Sequence, residues 1–155
     1  MGAPPPPNER ASRSPTYHRV RRSRKPAFLA LGVALGAWAI ARWRPFRFEV
    51  SGGSMEPELR DGDWAIAVTR GRPRPGSVVV VEHPERPGFE MAKRVTALEG
   101  GLTPGGRALG PGELWVEGDN AGGSTDSRDF GPVRSEQVRG IVVAVWWPPK
   151  RWRVL

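Results

Sequence analysis

The chain of 155 residues contains no cysteine and only two histidines, His18 and His83. The absence of cysteine excludes disulfide scaffolds, cysteine proteases, thiolate zinc sites and iron–sulfur clusters. Two histidines are too few for an all-histidine metal site, so we expect no metal and no cofactor. His83, in the sequence Glu82-His83-Pro84, is interpreted as a turn residue. Any catalysis is therefore expected to use hydroxyl, amine and carboxylate groups.

Helical periodicity is also lacking after residue 44, whereas glycine (20 residues) and proline (17 residues) are abundant. This composition is typical of a loop-rich β protein. Short apolar runs alternate with turn sequences and predict strands at residues 46–50, 64–68, 77–82, 91–98, 114–117 and 140–147. The predicted fold is mostly β: a compact, barrel-like, folded antiparallel sheet preceded by one N-terminal hydrophobic helix.

The formal net charge of +8 is concentrated at the N-terminus. Residues 1–25 carry seven basic and one acidic side chain, and the rest of the chain carries 17 basic and 15 acidic ones. A nucleic-acid-binding domain carries its positive charge on the folded part, so we expect no nucleic-acid partner. The proline- and arginine-rich residues 1–25 have little to bury and are predicted to form a disordered basic tail. Residues 150–155 are predicted to form a basic C-terminal tail.

An uncharged run of fifteen residues, 27–41, follows the basic tail. As a helix it is about 22 Å long, against about 30 Å for the hydrocarbon core of a bilayer. Trp38 and Trp43 suit an interfacial aromatic belt, and the flanking Lys25 and Arg42 can reach the headgroups. We therefore expect a membrane-anchor helix. A soluble or peripheral helix and a cleaved export signal are the alternatives.

The distribution of basic residues around this helix predicts its orientation. More of them precede the apolar run than follow it, which favours a cytoplasmic N-terminus. The predicted location is the cell membrane, with a single pass, the lipid bilayer as a partner and the β domain on the outer face.

A nucleophilic serine in this chain needs a base other than histidine. A lysine can serve when burial lowers its pKa enough to leave it neutral. Of the three lysines, only Lys93 lies in an apolar strand context, and on a strand it points away from Arg94. Simple exposure of Lys93 on the strand is the alternative.

The candidate nucleophile is Ser54, which follows Gly52 and Gly53. Two glycines allow a tight turn that presents the hydroxyl and leaves the serine N–H free to stabilise an oxyanion. The alternative is a serine- and glycine-rich loop without chemistry.

A third segment, residues 115–131, is rich in Asp, Asn, Ser and Gly. A charge-assisted pair of Asp126 and Arg128, with Ser124 bonded to a neutral lysine amine, would brace an active site here. A solvated loop is one alternative. A calcium-like loop is another, although the closing glutamate of an EF-hand is absent.

Together and in this order, the three segments resemble those of type I signal peptidases, the Ser–Lys membrane serine proteases. The resemblance lies in residues 51–59 (SGGSMEPEL), 61–63 (DGD), 93–95 (KRV), 118–120 (GDN), 124–128 (STDSR) and 131–133 (GPV), and it extends over about residues 46–147. The short span between Lys93 and Asp126 is similar to that of small members such as mitochondrial inner-membrane peptidases.

The resemblance implies a role for each matching residue. Ser54 is expected to be the nucleophile and Lys93 the general base, with Ser124 orienting the lysine. Asp126 and Arg128 are expected to support the site, and Met55 to contact the substrate. The oxyanion would be bound by the Ser54 N–H and a group near Gly52, which has no hydroxyl to offer.

The implied function is that of a membrane-anchored serine endopeptidase that removes N-terminal signal or pro segments from precursor proteins after small residues. One alternative is a dedicated protease for the propeptide of nickel superoxide dismutase. Another is an inactive, membrane-anchored β module that binds peptides. A self-cleaving repressor is excluded, because the N-terminal residues cannot form a DNA-binding domain. The predicted organisation is a tail at 1–25, an anchor helix at 26–44, a catalytic domain at 45–149 and a tail at 150–155.

Overall fold

The structure, a computed structural model, describes residue 2 and residues 25–155. The predicted basic tail lies outside these residues apart from its second and last positions. Helix α1 spans Lys25–Trp43 and leads directly into the first strand. Neither this helix nor any other in the described part of the chain is long and apolar enough to span a bilayer, so the predicted membrane span is not confirmed.

One antiparallel sheet contains all eight strands of the described chain. The strands are β1 Pro45–Glu49, β2 Trp64–Val68, β3 Val78–Glu82, β4 Glu90–Leu98, β5 Glu113–Glu117, β6 Val133–Arg134, β7 Val138–Trp147 and β8 Arg153–Val154. A four-residue helix, α2, spans Ser127–Phe130. The predicted mostly-β fold is confirmed, and each of the six predicted strands is present within two residues of its predicted bounds. The two-residue strands β6 and β8 and the helix α2 were not predicted.

The strand order β1-β2-β7-β3-β4-β5-β6 brings distant segments together, and β8 pairs with β7 beyond the end of β3. Register shifts interrupt the β2–β7, β3–β7 and β4–β5 pairs. Such bulges increase the local twist, and the sheet curls into a half-barrel. Strand β4 thereby lies near the loop between β1 and β2, where the candidate nucleophile is found.

Strand β3 lies between two apolar clusters, as its uninterrupted valine run predicts. Val78 and Val80 belong to a cluster that also contains Met55 and Leu59. Val79 and Val81 belong to the second cluster on the other face. Because the loop after β1 contributes side chains to the first cluster, the position of that loop is set by the core of the domain.

The C-terminal segment belongs to the folded domain, although the sequence predicted a basic tail from residue 150. Pro149–Arg151 form a turn of 3-10 helix, and β8 pairs with β7. The physical reason is a buried carboxylate: Arg151 donates hydrogen bonds to Asp63, which is only 2% exposed. The folded domain therefore extends beyond the predicted boundary at residue 149.

Candidate active site

The loop after β1 presents Ser54 through a backbone turn that requires glycine. Gly52 has a φ of 83°, a conformation that side-chain-bearing residues rarely adopt. The N–H of Gly52 donates to Asp61 Oδ1 at 2.7 Å, so this group is already engaged. In contrast, the N–H of Ser54 has no acceptor among the described residues and is available to a ligand.

Lys93 lies on β4, with its neighbour Arg94 on the opposite face. Lys93 is 2% exposed. The Arg94 guanidinium forms a two-pronged pair with Asp119, with both N···O distances at 2.7 Å. Adjacent side chains on a strand are expected to point to opposite faces of the sheet, as these two do. The amine of Lys93 is therefore shielded from water, whereas Arg94 forms an ion pair near the surface.

A chain of hydrogen bonds leads from Lys93 to a buried carboxylate. Lys93 Nζ donates to Ser124 Oγ at 2.8 Å, and the Ser124 hydroxyl donates to Asp126 Oδ2 at 2.8 Å. Because the proton of Ser124 is committed to Asp126, Ser124 can only accept a hydrogen bond from the amine. The lone pair of a neutral Lys93 is then left free to take a proton from another group.

Asp126 is fully buried and accepts bonds from several donors. Arg128 binds both of its oxygens, and the N–H of Gly118 donates to Oδ2 at 2.8 Å. The carboxylate also caps helix α2 by accepting the N–H of Arg128. Burial by itself raises the pKa of Asp126, but the hydrogen bonds from Arg128, Gly118 and Ser124 outweigh it and hold this pKa well below its usual range.

Burial shifts the pKa of Lys93 in the direction that base catalysis requires. Desolvation is the largest cause and lowers the pKa from its ordinary value of 10.5. The negative charge of Asp126 raises the Lys93 pKa, and the positive charge of Arg128 lowers it. The balance of these effects leaves the pKa of Lys93 lowered.

Ser54 and Lys93 both line a cavity of about 480 Å³ between the end of β1 and the start of β4. Met55, predicted to contact the substrate, also lines this cavity, although it is only 1% exposed and packs in the first apolar cluster. Among the described residues no hydrogen bond joins Ser54 Oγ to Lys93 Nζ. Such contacts are often long in a free enzyme and shorten when substrate binds.

Residues 118–120 hold the loop that contains Ser54 close to Ser124, the residue that accepts the hydrogen bond of Lys93. Asn120 N–H donates to the Ser54 carbonyl at 3.0 Å, and Asn120 Nδ2 donates to the Gly53 carbonyl at 3.1 Å. A Cβ atom on Gly118 would lie 2.5 Å from the Ser54 carbonyl oxygen and still closer to Ser124 Oγ. Only glycine therefore allows these two segments to approach so closely.

Sequence reasoning did not assign the positioning residues Arg94, Gly118, Asp119 and Asn120. All four lie within motifs that carry the resemblance, so the motifs marked the region. The roles were hidden because the partners are distant in sequence: Asn120 and Gly53 are 67 residues apart. No cluster of metal-ligating side chains is found in the part of the chain that the structure describes.

Comparison with known proteins finds a matching family model and several relatives of this chain. The chain matches the family model described as signal peptidase, peptidase S26, over residues 21–103 and 101–147. It is 34% identical over 111 residues to mitochondrial inner membrane protease subunit 1 of Xenopus tropicalis, covering 63% of this chain and 66% of that protein. It is 33% identical over 124 residues to mitochondrial inner membrane protease subunit 2 of Mus musculus, covering 68% and 69%. The subunit 2 protein of Saccharomyces cerevisiae is 32% identical over 122 residues, covering 67% and 69%. The matches thus span about two thirds of the length of each relative.

Proposed function

This chain belongs to the signal peptidase family, peptidase S26, and we propose that it is an endopeptidase that uses Ser54 and Lys93 to cleave signal or pro segments from precursor proteins. The family membership confirms the resemblance seen in the sequence and the class of enzyme, a serine peptidase. The observation that carries the proposed dyad is the buried amine of Lys93, which shares a cavity with Ser54.

The proposed reaction begins with a neutral Lys93. Its lone pair takes the proton of Ser54 as the serine oxygen attacks the carbonyl carbon of the scissile peptide bond. The resulting ammonium gives this proton to the departing amine, the C–N bond breaks and an ester remains on Ser54. Lys93 then takes a proton from water, and the hydroxide attacks the ester. Cleavage of the ester returns the proton to Ser54.

The free N–H of Ser54 supports oxyanion stabilisation in this reaction. It has no acceptor among the residues described, whereas the Gly52 N–H is engaged by Asp61. A preorganised N–H donor gains strength where water is excluded. Ser54 N–H is therefore our candidate oxyanion donor, and Gly52 contributes the turn rather than a second hydrogen bond.

Two open strand edges support an extended peptide as the substrate. Among the described residues, strand β1 pairs only with β2, and the first residues of β4, Glu90–Lys93, precede the segment that pairs with β5. Both edges border the cavity that contains Ser54, and unpaired strand edges bind extended peptides through main-chain hydrogen bonds. We propose precursor segments with small residues before the cut as the ligands.

Membrane attachment is a further part of this proposal. The relatives are named as proteases of the mitochondrial inner membrane, and helix α1 of this chain exposes Leu31, Val33, Leu35 and Trp38. We propose that residues 26–44 hold the protein at the cell membrane, with its N-terminus cytoplasmic. Retention of the protein in the membrane fraction after an alkaline wash would support this proposal, and complete release would contradict it.

The catalytic proposal is tested by cleavage of a precursor peptide with alanine at the first and third positions before the cut. Ser54→Ala and Lys93→Met are each expected to lower kcat/KM by about 10⁴-fold, because each removes a group that takes part in bond formation. Ser135→Ala and Lys150→Met replace exposed residues of the same types elsewhere and are the matched controls. Cleavage by either site variant at the rate of its control would contradict the proposal.

A further inference from the structure

His83 is the second buried ionisable side chain that lines the cleft, and the reaction proposed above does not use it. The residue lines the same cavity as Ser54 and Lys93 and is 6% exposed. His83 directly follows β3, and its N–H donates to the Phe89 carbonyl at 2.8 Å. The residue is therefore held on the β3–β4 hairpin, at the end of the cleft away from Lys93.

The hydrogen bonds of His83 determine which of its ring nitrogens is free. Nδ1 accepts the backbone N–H of Glu85 at 3.1 Å. A neutral imidazole that accepts at Nδ1 carries its proton on Nε2. Nε2 has no partner among the described residues, and it is not one of their buried unpaired atoms. An accessible N–H donor thus remains on a residue that lines the cleft.

Aromatic packing fixes the orientation of this donor. The centroid of the His83 ring lies 5.0 Å from that of Phe130 and 6.2 Å from that of Phe89. The contact with the Glu85 N–H adds a third constraint. A donor held in this way loses little conformational freedom when it binds a ligand.

The residues that line the cavity make a hydrogen bond to His83 selective for polar over apolar side chains. Phe48, Val80, Met91 and Ala92 also line this cavity and give it apolar surface. Its charged lining residues are of both signs, since Arg86 is accompanied by Glu49 and Glu90. An apolar side chain bound here would leave the His83 N–H without an acceptor, whereas an amide or hydroxyl oxygen would satisfy it.

We propose that His83 Nε2–H forms a subsite that selects precursor peptides with an amide or hydroxyl side chain about four residues from the scissile bond. The distance follows from the segment that leads into β4, because Phe89, which is level with His83 and directly precedes β4, lies four residues before Lys93. A peptide extended along this strand advances about 3.3 Å per residue, or about 13 Å over that interval. This inference rests on the proposed function, because it assigns the cleft to a peptide substrate.

The test uses the full chain with Ser54→Ala, so that peptides bind without being cleaved. Fluorescence anisotropy measures the affinity of labelled alanine-rich peptides in which one glutamine is moved along the sequence. Peptides with the near-isosteric methionine at the same positions are the controls. We expect one position at which glutamine binds about tenfold more tightly than methionine.

Two substitutions separate the donor of His83 from its structural contact. His83→Asn keeps an acceptor near the position of Nδ1 but has no donor that reaches the position of Nε2, whereas His83→Gln keeps that donor. The preference for glutamine is expected to persist in His83→Gln and to disappear in His83→Asn, with unchanged thermal unfolding in both. Three results would overturn the subsite: no position with a preference, a preference that survives in His83→Asn, or loss of the preference in both variants.

Cleavage of the same peptides by the chain with Ser54 intact distinguishes this inference from the proposed function. Selective binding without cleavage would contradict the peptidase proposal and leave the subsite supported. Cleavage that is indifferent to glutamine at every position would contradict the subsite and leave the peptidase proposal supported.

Discussion

At the scale of single residues, the close approach of the Ser54 loop to Ser124, which accepts the hydrogen bond of Lys93, depends on Gly118. Its missing side chain lets the Ser54 carbonyl and the Ser124 hydroxyl approach the same point of the backbone. Both neighbours are constrained, because Asn120 binds the Ser54 carbonyl and Asp126 binds Ser124. A methyl group at this position can be accommodated only if one of the two segments moves.

Gly118→Ala is therefore expected to lower kcat/KM by about 10²-fold, because a displacement of about 1 Å at a catalytic group has an effect of that size. The matched control is Gly105→Ala, since a Cβ at Gly105 would meet its nearest neighbour, Thr103 Oγ1, only at 3.9 Å. Peptide cleavage assays of the two variants provide the measurement. Equal activities would show that the close approach at Gly118 is unimportant.

The lowered pKa of Lys93 also affects the stability of the protein. Between this lowered pKa and 10.5 the unfolded chain binds more protons at Lys93 than the folded chain does, so stability rises with pH across that interval. Below the lowered pKa the full cost of burying the charged amine is present. Burial of Lys93 thus costs some stability at low pH.

At the scale of elements, the C-terminal segment supports the loop that contains Ser54. Arg151 pairs with the buried Asp63 through N···O distances of 2.8 and 2.9 Å and also donates to the Glu58 carbonyl at 3.2 Å. Burial alone raises the pKa of Asp63, but the hydrogen bonds from Arg151 and from the Arg60 N–H lower it. The pair therefore stabilises the fold above the ordinary pKa of Asp63, and this contribution is lost as the pH falls through the lowered value.

Arg151→Met is expected to reduce the free energy of unfolding at pH 7 by about 3 kcal/mol, because it leaves a buried carboxylate without its partner. Arg107→Met removes an arginine whose side chain is 56% exposed, and its effect is expected to remain below about 1 kcal/mol. Denaturant titration of both variants measures the difference. A loss for Arg151→Met no larger than that for Arg107→Met would contradict the proposed support.

Local sequence patterns were sufficient to predict the main elements but not the short ones. The period of a strand placed Lys93 and Arg94 on opposite faces, and the valine run predicted the burial of β3 on both sides. Strands β6 and β8 contain two residues each, too few to show a pattern, and they depend on partners elsewhere in the chain. The same holds for Arg151, whose basic neighbours resemble a solvated tail until the buried Asp63 is known.

The sequence predicted the individual residues of the candidate site better than the hydrogen bonds that join them. The glycines around Ser54 and the joint order of the motifs marked the candidate nucleophile Ser54, the candidate base Lys93 and Ser124. The contact of Asn120 with Gly53 joins residues 67 apart, and no local pattern encodes it. His83 opens a turn, as the sequence predicted, since its carbonyl accepts the Arg86 N–H. Its place in the lining of the cleft was not predicted, because it depends on the curvature of the sheet.

At the scale of the whole molecule, the folded domain has its core after helix α1. Both apolar clusters of the described chain consist of residues from Phe46 onward. Helix α1 instead exposes large apolar side chains, such as Trp38 at 64%. Folding and membrane attachment are therefore expected to be separable properties of the chain.

Deletion of residues 1–44 is expected to change the thermal unfolding midpoint by less than about 4 °C, because no cluster residue is removed. The same deletion is expected to release the protein from lipid vesicles. Calorimetry and co-sedimentation with vesicles measure the two properties, with the full chain as the control. An unfolded fragment would contradict the domain boundary, and a fragment that still sediments with vesicles would contradict the anchor at 26–44.

The central claim is that Lys93 is a base because it is buried, and NMR titration of its amine tests this most directly. The chain has three lysines, so the Lys93 resonance can be assigned by its absence in Lys93→Met. We predict that the folded protein releases the Lys93 proton at a pH below the ordinary 10.5. A midpoint for Lys93 at or above 10.5 would contradict the account.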